Sequence, residues 1–282
     1  MTTAWLVVFL AVFLIGLTKS GFGSGVGLMI VPMAAIALGH IPSRGSEAAL
    51  GLLLPLLIGG DLIAVWQYRG LLRRPAPPEP CPEGEGEETG VSVWVIKRLL
   101  PGTAVGVALG GLLLWWFHQQ PPKVLVALIR AEIGFESVLL VGIHWWRQWR
   151  GLQHALMPEP LRSHFTGAFA GISSTLAHAA GPIIAMYLLP LKPDRRVYVG
   201  ACAVYFFMLN TAKLPAYYLA DQFAHAELSF TVRFLPLVLA GAFCGLWLNR
   251  HMSDSLFSKL VYFITFVLGW YMLADGLRML VR

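Results

Sequence analysis

The chain has 282 residues, of which 57% are hydrophobic with glycine left out of the count, 13% are charged, and the formal net charge is +6. A soluble domain is roughly half apolar with glycine included and about a quarter charged. Polar surface for a two-domain soluble enzyme is therefore lacking, and disorder is excluded on the same ground. A mean hydropathy of +0.66 leaves a polytopic membrane protein. The basic excess is read as Lys and Arg gathered in loops facing anionic lipid, so the expected partners are membrane lipid and no nucleic acid. Cys81, Cys202 and Cys244 are odd in number and lack metal-ligand spacing, so no disulfide framework, metal or other cofactor is expected.

The first apolar stretch, MTTAWLVVFLAVFLIGLTKSG, has neither a basic n-region nor a small-residue cleavage site and reads as a retained helix. A crossing needs about 20 apolar residues, and the fragments Ala4–Leu17 and Val26–Leu38 are each nearer half of one. A long segment at Ser46–Tyr68 follows. The Pro/Glu/Gly-rich stretch Leu72–Gly90 is the one frankly soluble part, expected to be disordered. Long segments resume at Val91–Phe117 and Lys123–Trp145. A second interrupted region comprises Phe165–Leu176 and Pro182–Leu191, and Val197–Leu219, Leu228–Leu248 and Leu256–Leu280 complete the chain.

An internal repeat organises these segments. GLTKS at Gly16 matches GISST at Gly171, an offset of 155, while Pro101, Gly106, Gly110 and Gly134 match Pro236, Gly241, Gly245 and Gly269 at an offset of 135. The acidic loop at 72–90 can supply the 20-residue difference. The expected fold is an all-α polytopic membrane protein of two inverted repeats, residues 1–150 and 151–282. Each has about five segments and begins with a broken, re-entrant helix pair. With each broken segment returning to its own side, thirteen Lys and Arg fall on one face and five on the other. Continuous crossings give eleven against seven in the opposite orientation. The first arrangement is the stronger positive-inside signal and puts both termini outside a bacterial inner membrane and the acidic loop in the cytoplasm.

Two interrupted segments at matching positions are the best sequence pointer to a transport site. Unpaired backbone survives at membrane depth only inside protein or against a water-filled cavity, and a half-helix starting there aims free N–H groups into it. Break one, Thr18–Gly27, offers Lys19, Ser20, Gly21, Gly23, Ser24 and Gly25. Break two, Ser173–Pro182, offers Ser174, Thr175, His178 and Gly181, with Pro182 suited to a first helical turn. Donors, hydroxyls and one cation suit a small anion. The rival reading is close helix packing by glycine and self-satisfied Ser and Thr.

Charges at membrane depth each need a reason. Lys19 is expected to meet substrate charge. Lys213 either snorkels to the interface or, with Asn210 one turn earlier on the same face, also faces the anion. Asp61, at the corresponding depth of the first half, would pair with a lysine or carry a proton. Glu132 and Glu136 lie four apart on one face and would share protons rather than both ionise, so they are candidates for coupling, unless they pair structurally with Arg130 or other helices. The glycine spacings 102–106–110 and 241–245 read as packing faces inside the chain or as a homodimer interface.

The glycine-rich break after the first segment, PGTAVGVALGG with its echo PLVLAGAFCG, the YRG after the third segment, and Asn210, Lys213 and Tyr217 as N-x-x-K…Y resemble the TauE/SafE sulfite-exporter family. That resemblance implies export or uptake of sulfite, organosulfonates, sulfur-containing metabolites or related small organic anions by a secondary transporter, and no enzymatic activity. Alternating access with substrate bound between the broken helices is the expected mechanism. A passive anion channel remains the alternative, since half-helices meeting at mid-membrane also build pores. An intramembrane serine protease using Ser24 and His178 fits poorly: Phe22 stands where the nucleophile motif needs its first glycine, and 154 residues separate the two.

Overall fold

The computed structural model describes residues 2–23, 27–41, 48–72, 93–151, 160–188, 195–223, 228–251 and 254–281, and among them all regular structure is helical. Ser24, Gly25, Cys81 and nearly all of the acidic loop fall outside the described residues. The helices are α1 (Thr2–Gly21), α2 (Gly27–Gly39), α3 (Ala48–Leu72), α4 (Val93–His118), α5 (Pro122–Trp149), α6 (Leu161–Ala177), α7 (Ala180–Leu188), α8 (Arg195–Ala212), α9 (Leu214–Leu219), α10 (Leu228–His251) and α11 (Asp254–Val281). Among the described residues, six spans are long and apolar enough to cross a membrane: Thr3–Gly21, Ala48–Gly70, Ile96–His118, Arg196–Leu219, Ser229–Asn249 and Tyr262–Val281. The protein is an integral, multi-pass membrane protein.

Two expectations about helix ends are corrected. The first apolar segment does not stop near Leu17; α1 runs 20 residues to Gly21, about 30 Å at 1.5 Å per residue, a full span in length. Likewise α6 continues through Ser173, Ser174 and Thr175 to Ala177. Thr18 donates its hydroxyl back to the Ile15 carbonyl (3.1 Å) and Thr175 to the Gly171 carbonyl (2.8 Å), so these polar residues are satisfied within their own helices. The segment expected as one helix over Val197–Leu219 is divided at Lys213 into α8 and α9. Pro215, without an N–H, cannot bond the carbonyl one turn back, so the backbone ladder is interrupted there.

With no hydrophobic drive between helices in lipid, close backbone approach carries the packing. The principal partners are α1 with α10, α4 with α6, α5 with α11 and α3 with α8, and α2 and α7 pack on α1 and α6. A Cβ at Gly106 would run into the Ala168 carbonyl, one at Gly241 into the Phe13 carbonyl, one at Gly171 into the Thr103 carbonyl and one at Gly16 into the Val238 carbonyl. Gly110 sits on Ile172 and Gly245 on the Leu17 carbonyl. These glycine faces are thus filled by helices of the same chain.

This packing gives a stability prediction with opposite signs. Gly106→Ala and Gly241→Ala force backbone apart and are expected to cost about 1–3 kcal/mol. Gly142 has nothing near its missing Cβ, so Gly142→Ala gains about 0.5–1 kcal/mol of helix propensity. Thermal unfolding in one detergent compares them; a lowered midpoint for Gly142→Ala, or an unchanged one for Gly106→Ala, contradicts the packing.

Candidate functional site

The two helix junctions are built alike. At the end of α1 the amides of Phe22 and Gly23 both bond the Thr18 carbonyl, at 3.0 and 2.9 Å, and Gly23 takes φ 72°, a left-handed turn that glycine adopts freely. At the end of α6 the amide of His178 bonds the Ser174 carbonyl at 3.0 Å and that of Ala179 the Ser173 carbonyl at 3.3 Å. Here the left-handed residue is His178, with φ 52° and ψ 29°. An L side chain pays roughly 1–2 kcal/mol for that conformation, and such strain at a buried turn points to a side chain required for its chemistry.

The imidazole of His178 is held from several sides. Nε2 lies 3.1 Å from the Leu50 carbonyl of α3 and Nδ1 lies 2.7 Å from Lys213 Nζ. With Lys213 donating, Nδ1 carries no hydrogen, so the ring proton sits on Nε2 and is given to Leu50. Lys213 is fully buried, which excludes snorkelling. Its Nζ donates towards three acceptors: the Ser174 carbonyl (3.0 Å), Ser174 Oγ (3.0 Å) and His178 Nδ1. From the α8–α9 junction Lys213 reaches the C-terminal end of α6, the negative end of the helix dipole. Tyr217, one turn on in α9, donates to the Thr175 carbonyl at 2.8 Å.

The α1 junction is organised around an ion pair. Lys19 Nζ lies 2.7 Å from Asp61 Oδ1 on α3, and Asn210 Nδ2 of α8 donates to Asp61 Oδ2 at 2.6 Å. Asp61 is wholly buried while the Lys19 side chain keeps 13% exposure. Lys19 also sits over the Phe206 ring, 4.3 Å from its centroid. Tyr68 donates to the Ser20 carbonyl at 2.7 Å. Ser20 Oγ is buried and has no hydrogen-bond partner. The two groups are within electrostatic reach of each other, Lys19 and Asp61 both acting on Lys213.

The structure therefore brings together Lys19, Ser20, Asp61, Asn210, Ser174, Thr175, His178 and Lys213. Lys19 and Ser20 belong to the last turn of α1, and Ser174 and Thr175 to that of α6, rather than to unwound chain. Gly21 is a packing residue: its missing Cβ faces the Gly245 carbonyl and its own carbonyl accepts from Asn249. Gly181 and Pro182 lie in the first turn of α7. Arg130 pairs with Asp275 of α11. The sequence reading missed Leu50, whose contribution is a backbone carbonyl that no side-chain pattern announces. It also missed the role of Tyr68, which stands 149 residues before Tyr217, the separation of Asp61 and Asn210, a spacing that would have found it.

A family model described as "Sulfite exporter TauE/SafE" matches residues 85–272, 188 of the 282 residues. The chain belongs to the TauE/SafE family. The match runs from the end of the acidic loop into α11 and takes in His178, Asn210, Lys213 and both glutamates of α5. TauE/SafE proteins are membrane transporters rather than enzymes, which agrees with a buried site of fixed charges and hydroxyls. Comparison with curated proteins and with solved structures gives no match.

Proposed function

We propose that the protein is a secondary transporter of one small anion, sulfite, an organosulfonate or a related sulfur-containing or organic acid. The observation that carries this reading is the charge inside the helix bundle. Lys19 and Lys213 bring the N–H donors of two lysines to one carboxylate, Asp61, at a depth where an unmatched charge is expensive. A small monoanion would be held by the donors that Asp61 leaves unused. Lys19 is the group with donors and access to spare, whereas Lys213 acts through Ser174 and His178.

Alternating access is favoured over a channel by the correspondence between halves. Gly106 on Ala168 answers Gly241 on Phe13, and Gly171 on Thr103 answers Gly16 on Val238, with the 135 and 155 offsets of the sequence repeat. Tyr68 to Ser20 answers Tyr217 to Thr175, and Gly23 answers His178. Two repeats, 1–150 and 151–282, with five segments each would be inverted in the membrane, the plan of rocking transporters. Returning each broken pair to its own side keeps the basic residues cytoplasmic and the termini outside, in a bacterial inner membrane.

The test is sulfite counterflow in proteoliposomes together with anion-induced thermal shifts in detergent. Wild type should saturate and counterflow. Lys19→Gln keeps a donor for Asp61 but loses the charge, and should bind the same anion roughly 10–100-fold more weakly, the worth of a charged hydrogen bond at about 1.5–3 kcal/mol. Wild-type affinity in Lys19→Gln removes the assignment, and uncoupled current without counterflow selects the channel.

A further inference from the structure

Glu132 and Glu136 lie four residues apart on α5, on one helix face. Glu136 is buried, with 9% of its surface exposed, and its Oε2 has no hydrogen-bond partner. Its carboxyl lies beside that of Glu132 and faces Ser173 of α6. Ser173 is 1% exposed and its hydroxyl likewise closes no hydrogen bond. Glu136 and Ser173 thus meet inside the bundle beside Glu132 with hydrogen-bonding capacity unused.

The described charges of the neighbouring helices are engaged or placed elsewhere. On α5 itself Arg130 is taken by Asp275 of α11. The remaining described ionisable groups of α11 are Tyr262, stacked on His144, and the exposed Lys259, Tyr271 and Arg278. On α6, Arg162 lies over Tyr187 of α7 and His164 is exposed. α2 carries no ionisable residue. On α4, Lys97 and Arg98 are in the first two turns and His118 at the end, away from the middle of α5. Tyr217 of α9 lies within electrostatic reach of Glu132.

Carboxyls held side by side need a proton between them, because otherwise each presents acceptors to the other. We infer that Glu132 and Glu136, with Ser173, form the binding site of the proton that is co-transported with the anion. This rests on the anion-transport reading above. The connection to the anion site is the last turn of α6. Ser173 faces the carboxyls, Ser174 next to it receives Lys213 through both its hydroxyl and its carbonyl, and the Thr175 carbonyl receives Tyr217. Loading or emptying the carboxyl pair therefore acts on the same turn that positions Lys213 and His178. Two conformations of that turn, each favoured by one loading state, couple the two sites.

Two readouts separate this proposal from the one it rests on. Without any substrate, pH-difference infrared spectra of purified protein should show the C=O stretch of a protonated carboxyl, lost or shifted in Glu132→Gln and in Glu136→Gln. With sulfite as probe in proteoliposomes, one pH unit drives at most about tenfold accumulation for 1:1 coupling, since one unit equals about 1.36 kcal/mol. Wild type should approach that ratio, and each Gln variant should fall to about 1. Gln replaces Glu in shape and hydrogen bonding, and Glu132→Gln repeats the test on the more exposed partner if Glu136→Gln does not fold. Wild-type counterflow indifferent to the pH gradient, accumulation driven by a sodium gradient instead, or an infrared band untouched by both variants overturns the proton site. Absence of counterflow in wild type overturns the anion reading itself.

Discussion

His178→Gly is expected to fold, to melt at a higher temperature than His178→Ala, and to lose transport. Residue 178 holds φ 52°, which glycine adopts without penalty and alanine does not, a difference of about 1 kcal/mol or more. Both variants lose the imidazole, leaving one N–H of the buried Lys213 ammonium and the Leu50 carbonyl without their partner. Each unsatisfied buried group costs about 1–3 kcal/mol, but the loss is common to both and cancels in the comparison. Equal melting of the Gly and Ala variants means that the turn relaxes once the ring is gone, and the strain argument fails. Sulfite counterflow equal to wild type in His178→Gly reduces the imidazole to a packing group, since nothing else at that position distinguishes it from Gly23 at the end of α1.

Physical scale explains what the sequence disclosed. Hydropathy is a sum over about 20 residues, so membrane class and the long spans were legible. Charges at depth are rare enough that Lys19, Asp61 and Lys213 stood out; Lys19 and Asp61 pair, and Lys213 lies within their electrostatic reach. Pairwise geometry was not legible. Glu132 and Arg130 are two apart and so leave a helix on different faces, which is why Arg130 reaches α11 while the glutamates face α6. The breaks looked longer than they are because Ser, Thr and Gly weaken a helix only when their side chains or freedom are used against it. Thr18 and Thr175 instead bond their own preceding turns. The helix interruption at Pro215 was written in the sequence, but the reach of Lys213 to the end of α6 depends on which helices pack together.

Asp61→Ala supplies the sharper test of whether an anion reaches this cluster. Removing one partner of a buried pair costs about 3–5 kcal/mol because the other charge stays behind, and here Asn210 also loses its acceptor. The variant is expected to melt well below wild type. A small anion that can reach Lys19 replaces the missing carboxylate, and at 100 times its Kd restores about 2.7 kcal/mol. Formate, which reproduces the deleted carboxylate, and hydrogensulfite should therefore raise the melting point of Asp61→Ala far more than that of wild type. Replacing both partners, as in Lys19→Met with Asp61→Leu, should recover stability without any anion, because an apolar pair has no charge to desolvate, and should then ignore formate. An equal response in single and double variants is a general salt effect on burial, not occupancy. An Asp61→Ala protein that no anion stabilises has a cluster closed to anions, so the positive charge would serve the fold and the transported ion would have to be bound elsewhere.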